Sequence, residues 1–193
     1  MYGLWAQVHG RPTLQATDDE PPPCGPGSGG LGESMIYIGI DPGLDGAIAY
    51  VPERGTAWVE DVPTLKAGDK GRRVYAIPEM RLLLQVEGVG FCIIEAVTPA
   101  ASPGRLGAFS LGLSTGIWTT LLVVEQVPYD PVSASVWKLA MGLRGKGKDA
   151  SIALARQLFP HLTNDLRRKG DHNRDEALLL AEYARRQHAP TAP

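Results

Sequence analysis

The sequence predicts an α/β fold: a mixed five-stranded sheet, three strands antiparallel and the others parallel, flanked by helices. Three observations carry that expectation. A run of β-formers, MIYIGID at 35–41, is followed closely by two more strand patterns, so short connections join the first three strands. A second buried run, FCIIE at 91–95, comes only after a helix pattern. The C-terminal half then reads as successive helices with apolar faces, which need a sheet to cover.

Taken in order, residues 1–34 include PPPCGPGSGG, the composition of a linking or disordered segment. Met35 directly precedes the first strand, so the expected domain is 35–188. Residues 1–34 are then a disordered extension, or a stretch upstream of the true start, and 189–193 a disordered tail. Ile36–Ile40 reads as a central strand, apolar on both faces. Gly46–Val51 and Thr56–Val62 complete an antiparallel meander around the turn Pro52–Gly55. Lys66–Arg73 is a polar, basic loop. Ile77–Gln85 is a helix with Pro78 suited to its first turn. After the strand Phe91–Glu95, the Gly/Ser/Pro-rich loop Thr98–Gly104 leads to a long helix over 106–122. Val123–Val127 is the expected fifth strand. Helices follow at 131–141, 149–159 with Asp149 as cap, and 171–186, whose basic C-terminal end suits the helix dipole.

The 193 residues suit one domain with a real core. No apolar run is expected to reach the roughly 18–20 residues of a membrane span; Leu106–Val124 is broken by Gly, Ser and Thr and fits a buried helix better. Two cysteines, Cys24 and Cys92, imply no disulfide framework, which makes a reducing cytoplasm the default. Cys92 reads as a small core residue. The net charge of −2 is uneven. Residues 1–34 hold one basic residue against four acidic ones, whereas Lys138–Arg186 holds 11 Lys and Arg against six Asp and Glu. Local clustering, rather than the global balance, bears on a nucleic-acid partner.

Two central strands each end in a carboxylate, Asp41 after YIGI and Glu95 after FCII. Ligands of α/β sheets gather beyond the carboxyl ends of strands. If the two strands are neighbours, the carboxylates repel unless a cation or proton lies between them. Oxygen donors without a Cys or His cluster suit Mg²⁺ or Mn²⁺ rather than zinc. A third group, Asp171, Asp175 and Glu176, opens the last helix, where acids also offset the helix dipole by about 0.3–1 kcal/mol each. That dipole role explains less well why they crowd with His172 before so apolar a run as ALLLA. With Asp41 and Glu95 they would complete a site for two metals about 3.5–4 Å apart. Asp45 and Asp61 read as turn and surface residues. His172 is left open between ligand, proton shuttle and surface histidine.

These residues carry a resemblance. GIDPGLDGAIA (39–49), IIEAV (93–97), SLGLSTG (110–116), the Pro/Ser…WK segment (131–138), KGKDASIALARQLFP (146–160) and DHNRDEALLLAEYARR (171–186) stand in order over Tyr37–Arg186. The sequence resembles the RuvC-like Holliday junction resolvases of the RNase H-like superfamily, especially the phage and organellar branch. The resemblance implies an RNase H-like sheet and an endonuclease that resolves four-way DNA junctions as a homodimer, without membrane or nucleotide cofactor. It implies two Mg²⁺ ions per site, with Mn²⁺ able to substitute, and a bacterial or phage-infected cytoplasm. Asp41 and Glu95 match the family's first- and fourth-strand acids. In the last helix Asp171 and Glu176 are favoured, with Asp175 as the substitute. Lys146, Lys148, Arg167, Arg168 and Lys169 would meet backbone phosphates, although a solvated basic face is the plainer reading of each except Lys148. The Thr98–Gly104 loop would insert at the junction centre. The small residues of 112–116 fit close packing on a second subunit or on the chain's own sheet. The rival from another class is a non-catalytic RNase H-like module that binds branched DNA or scaffolds another protein; it would tolerate erosion of the acids. A sugar-kinase or actin-like phosphotransferase shares the GIDPG signal but needs a second domain.

Overall fold

Strand β1 (Ile36–Asp41) lies at the centre of a five-stranded sheet, apolar on both faces and covered on both. The computed structural model describes residues 34–68, 71–96, 104–166 and 172–189. The expected extension 1–34, save its last residue, and all but the first residue of the tail lie outside these. Strands β2 (Ala47–Pro52) and β3 (Trp58–Asp61) continue antiparallel from β1, and β6 (Val89–Ala96) and β7 (Tyr129–Ser133) extend it in parallel on the other side. The order β3-β2-β1-β6-β7 is the expected mixed sheet.

The pleat sorts β1 into two faces. Ile38 and Ile40, with Cys92 and Ile94 of β6, pack beneath helices α1 (Ile77–Leu82) and α2 (Gly104–Val124) around Met80 and Trp118. Burial drives the Cys92 thiol pKa upward, as an inert core residue requires. Tyr37, with Ile93 of β6 and Ala47 and Ala49 of β2, faces α3 (Ala134–Ala140), α4 (Lys148–Leu158) and α5 (His172–His188). On this second face Gly39 has no side chain, and α5 fills the space. A Cβ on Gly39 would lie 2.2 Å from the Ala177 carbonyl oxygen, 2.2 Å from the Ala181 nitrogen and 2.8 Å from Leu180 Cβ. The helix therefore rests its backbone directly on the strand.

Several expected boundaries move. The basic loop at 66–73 is a two-stranded hairpin, β4 (Thr64–Ala67) with β5 (Arg72–Tyr75), separate from the main sheet. Gly68 and Gly71 take left-handed φ values of 69° and 61° at its turn; its strands are too exposed to show an apolar alternation. The fifth strand begins at Tyr129 rather than Val123, because α2 continues through Val124 and closes with Gln126 at a left-handed φ of 57°. Pro131 sits within that strand, which the edge position allows. Helix α3 accordingly starts after Ser133, and α4 is entered from Gly147, with Asp149 in its first turn making no capping bond. α1 stops at Leu82, short of the expected Gln85.

Helix α2 differs most from its sequence reading. Gly107–Val124 is long and apolar enough to cross a membrane by length and composition, contrary to expectation. Only one face is covered, by Ser114, Trp118, Leu121 and Leu122. Phe109, Leu113, Val123 and Val124 are exposed, and nothing lies within 4 Å of a Cβ built on Gly112 or Gly116. Of the small residues of 112–116, Ser114 packs inward, whereas Gly112 and Gly116 face away from the sheet.

Gly39→Ala drives a methyl into helix backbone that has no rotamer to yield. The expected loss is about 3 kcal/mol, the upper end of ordinary overpacking costs, read as a marked fall of the urea midpoint. A midpoint within about 0.3 M of wild type, roughly 0.5 kcal/mol at ordinary urea slopes, would show that α5 does not seat on β1 this way.

Candidate active site

Gly39 and Asp41 are two residues apart on one strand, so both point to the α5 face. Ile40 pairs with Ile94 in the parallel register, and the next step brings Asp41 beside Glu95 of β6, at the spacing of adjacent strands, about 4.8 Å. Since Ala177 and Ala181 sit over Gly39, the turn of α5 before Ala177 reaches the carboxyl end of β1. That turn carries Asp175 and Glu176. Four acids thus meet at one end of the sheet.

Their environment is hostile to their charge. Burial pushes the Asp41 carboxyl well above its usual range, and the neighbouring Glu95, Glu176 and Asp175 push it further, against a partial offset from Lys138. Glu95 is raised for the same two reasons, burial first and Glu176 second. Asp175 is 1% exposed, and neither carboxylate oxygen has a hydrogen-bond partner among the described residues; burial, then Glu176, raises it to about 7. Buried unpartnered carboxylates are costly unless something positive joins them. The set therefore suits a hard divalent cation by donor type, burial and unspent acceptor capacity. No three acids, histidines or cysteines among the described residues are already drawn together as a closed metal shell. Two side chains partner the acids instead. Trp137 Nε1 donates to Glu95 Oε1 at 3.1 Å, and Lys138 Nζ donates to Glu176 Oε1 at 2.7 Å while lying 5.0 Å over the Trp137 ring.

A separate set of bonds pins the start of α5. Asn173 Nδ2 donates to the Asp45 carbonyl in the loop after β1. Arg174 forks onto both Asp61 oxygens, each at 2.6 Å, at the end of β3, and holds that carboxyl below its usual range. Arg73 of the hairpin donates to the Asp45 carboxylate and the Leu44 carbonyl. Asp45 and Asp61 are exposed, as a turn and surface reading expects, but they also bind the elements that aim Asp175 and Glu176.

Among the other expected site residues, Lys146 and Lys148 are exposed at the entry to α4 and make no ion pair with a described residue. Asp171, Arg167, Arg168 and Lys169 lie outside the described residues, as does the 98–103 part of the expected junction loop. His172 opens α5, half-buried. Sequence reading missed Trp137 and Lys138 as site residues. The available signal was the WK pair: a tryptophan anchoring α3 in the core leaves its neighbour, about 100° round the helix, near the same end of the sheet.

The carboxylates make a pH prediction. An acid whose pKa is higher folded than unfolded binds more protons in the folded state, so its contribution to stability falls as pH rises. For Asp175 that contribution is fully present below an unfolded value near about 3.9 and is lost as pH climbs through about 7; Asp41 and Glu95 shift in the same direction. In EDTA the protein melts lower at pH 8 than at pH 5. Asp175→Asn narrows the difference, with a gain on the order of 1–3 kcal/mol at pH 8. Equal melts at the two pH values would count against a crowded, uncompensated acid cluster.

No family model matches the chain. It is 32% identical over 159 aligned residues to the chloroplastic Holliday junction resolvase MOC1 of Chlamydomonas reinhardtii, an alignment that takes in 69% of this chain. The chain spans only 18% of that relative's length. Among solved structures, Thermus thermophilus RuvC in complex with a Holliday junction substrate superposes with a TM-score of 0.53 at 14% identity, covering 80% of this chain and 96% of that one. A second T. thermophilus RuvC structure gives 0.52 at 15%, covering 79% and 96%. The expected bacterial or phage-infected cytoplasm is overturned here, since the curated relative is chloroplastic; two cysteines and a resemblance carry no address. The chain has the fold of the RuvC structures, and in sequence it is similar to a chloroplastic Holliday junction resolvase.

Proposed function

We propose that the chain is a metal-dependent, structure-specific endonuclease that resolves four-way DNA junctions by paired phosphodiester hydrolysis. The observation that carries the reading is the meeting of Asp41, Glu95, Asp175 and Glu176, with both Asp175 oxygens buried and without a partner among the described residues. Residues 35–188 form the nuclease domain in this reading. Asp41, Glu95, Asp175 and Glu176 would hold the cation, with Asp171 as a further candidate; the expected ions are two Mg²⁺, replaceable by Mn²⁺. When bound, they supply a water of lowered pKa and stabilise the leaving 3′ oxygen.

The chain's own residues do the rest. Trp137 fixes one oxygen of Glu95 and leaves the other free to ligate. Lys138 pairs with Glu176 and, once a cation takes over that carboxylate, is placed to meet a phosphate oxygen. Lys146, Lys148 and the basic run at 167–169 would neutralise flanking phosphates. No covalent enzyme intermediate is required.

The exposed side of α2 supports a homodimer in this reading. Phe109, Leu113, Gly116, Thr120 and Val123 recur at helical spacing on its exposed side, an apolar stripe with a glycine that admits a close neighbour. A twofold pairing of this stripe gives two sites for the two cuts a four-way junction needs.

Two tests follow. Offered a four-way junction, linear duplex and RNA–DNA hybrid with Mg²⁺, Mn²⁺ or EDTA, the protein nicks the junction symmetrically in metal alone. Asp41→Asn cuts more than about 100-fold slower, since even the partners of metal ligands are worth roughly 10–100-fold, yet still shifts the junction on a gel. Binding without cutting in either metal would point to the non-catalytic module. Separately, Leu113→Glu places a charge in the α2 stripe and converts a dimer to a monomer in sedimentation, with its far-ultraviolet circular dichroism unchanged and its melt lowered by no more than the lost association accounts for. A wild-type monomer at tens of micromolar would remove the pairing.

A further inference from the structure

Among the acids gathered at the end of the sheet, Glu95 is held by a group that the core fixes in place. Trp137 is fully buried, and it is the buried residue of the seven-residue helix α3. It belongs to the same core cluster as Met141, Leu143 and Ala177. Packing therefore sets where the indole lies, and its Nε1–H, 3.1 Å from Glu95 Oε1, points where the core puts it. Glu95 is half-buried near the end of β6 on a long side chain with several torsions, so the carboxylate adapts to the indole rather than the reverse. The partner of Glu176 differs. Lys138 Nζ donates to Glu176 Oε1 at 2.7 Å, but its side chain is 30% exposed and its flexible stem can swing away. Asp175 has both oxygens unspent among the described residues. An entering cation can thus recruit one oxygen or both from Asp175 and Glu176. From Glu95 it obtains both only if the carboxylate turns off the indole, which strands a buried N–H.

We infer that Trp137 is a positioning residue that sets the ion selectivity of the site: it holds Glu95 to ligation through one oxygen and so favours Mg²⁺ over Ca²⁺. The inference rests on the metal-dependent reading above. Charge does not separate the two ions, since both are divalent; the geometry of the donors does. Ca²⁺ takes about six to eight oxygens in a loose shell and readily chelates a carboxylate through both of its oxygens. Mg²⁺ is smaller and demands a near-octahedral shell at short distances. The narrow bite of a chelating carboxylate fits that shell poorly. A Glu95 that presents a single oxygen therefore costs Mg²⁺ nothing and denies Ca²⁺ one of its donors. The indole bond also spares Mg²⁺ the ordering of the Glu95 side chain, since the carboxylate is already oriented before the ion arrives.

The test reads ion binding rather than cutting. Trp137→Phe keeps a ring in the core and removes the N–H, and a thermal melt establishes that the variant folds. Calorimetry with MgCl₂ or CaCl₂ on the DNA-free full chain gives each affinity. In the variant Mg²⁺ binds about tenfold more weakly, a loss usual for a bond behind a metal ligand, while Ca²⁺ binds as tightly as to wild type or more tightly. A tryptophan that only supports the fold would weaken both ions alike, so equal losses, or no loss, would overturn the inference. A second measurement needs wild type alone and holds even if the variant does not fold. With ¹⁵N-labelled indoles, the Trp137 N–H keeps its hydrogen-bonded proton shift when Mg²⁺ saturates the site; loss of that shift in Mg²⁺ would overturn the positioning role. A wild type that binds both ions and cuts the junction, with the preference between them unmoved by the substitution, removes this inference and leaves the nuclease standing. A wild type that binds neither ion at millimolar concentration removes the metal-dependent reading and this inference with it.

Discussion

The seating of α5 on Gly39 is the contact on which the rest of the structure depends. A strand and a helix normally keep a layer of side chains between them. Here the strand contributes none at its centre, and the Ala177 carbonyl and Ala181 amide come to where a Cβ would stand. The approach ties the helix to one height along β1. A shift by one helical turn would put Leu178 or Leu180 into the glycine's place and carry Asp175 and Glu176 about 5 Å from Asp41. Close backbone packing thus acts as a ruler for the acids. The bonds from Asn173 and Arg174 to the ends of the β1–β2 loop and β3 hold the same register from the other side.

The same geometry sets a conflict between stability and chemistry. Alanines and leucines of α5 bury well against the sheet, and that burial pulls the adjoining acids out of water. An apolar replacement of Asp175 would suit the packing better. Retaining two oxygens that have no partner among the described residues, at 1% exposure, makes sense as a cost carried by the fold for a site that binds something positive. Lys138 moderates the conflict, neutralising one acid while leaving the others charged or protonated according to pH.

Helix α2 shows a second conflict, resolved on the outside of the molecule. Its inner face is committed to Trp118 and Leu122, yet its outer face is nearly as apolar. A helix apolar all round is normally enclosed on all sides. In the proposed dimer a second copy covers the exposed half, around Phe109, Leu113 and Val123.

The sequence by itself determined the sheet and most of its helices, because buried strands such as YIGI and FCII and the ALLLA run leave no choice of environment. It also determined that acids end two central strands, since each directly follows its apolar run. It misplaced the fifth strand because Val123 and Val124 are β-branched yet lie on a helix whose continuation is decided by packing on the sheet below. The hairpin was hidden because both its strands face solvent and show no alternation. Tertiary structure alone decided which acids of the last helix face the strands. Asp175 is buried and Glu176 is held by Lys138 because α5 descends onto Gly39, whereas at the level of spacing Asp171, Asp175 and Glu176 are equivalent first-turn acids. It alone revealed Trp137 and Lys138, which lie more than 40 residues along the chain from Glu95 and 38 residues before Glu176. The physical reason is the same in each case: an apolar run reports its own burial locally, but a polar side chain acquires its partner only when distant segments are brought together.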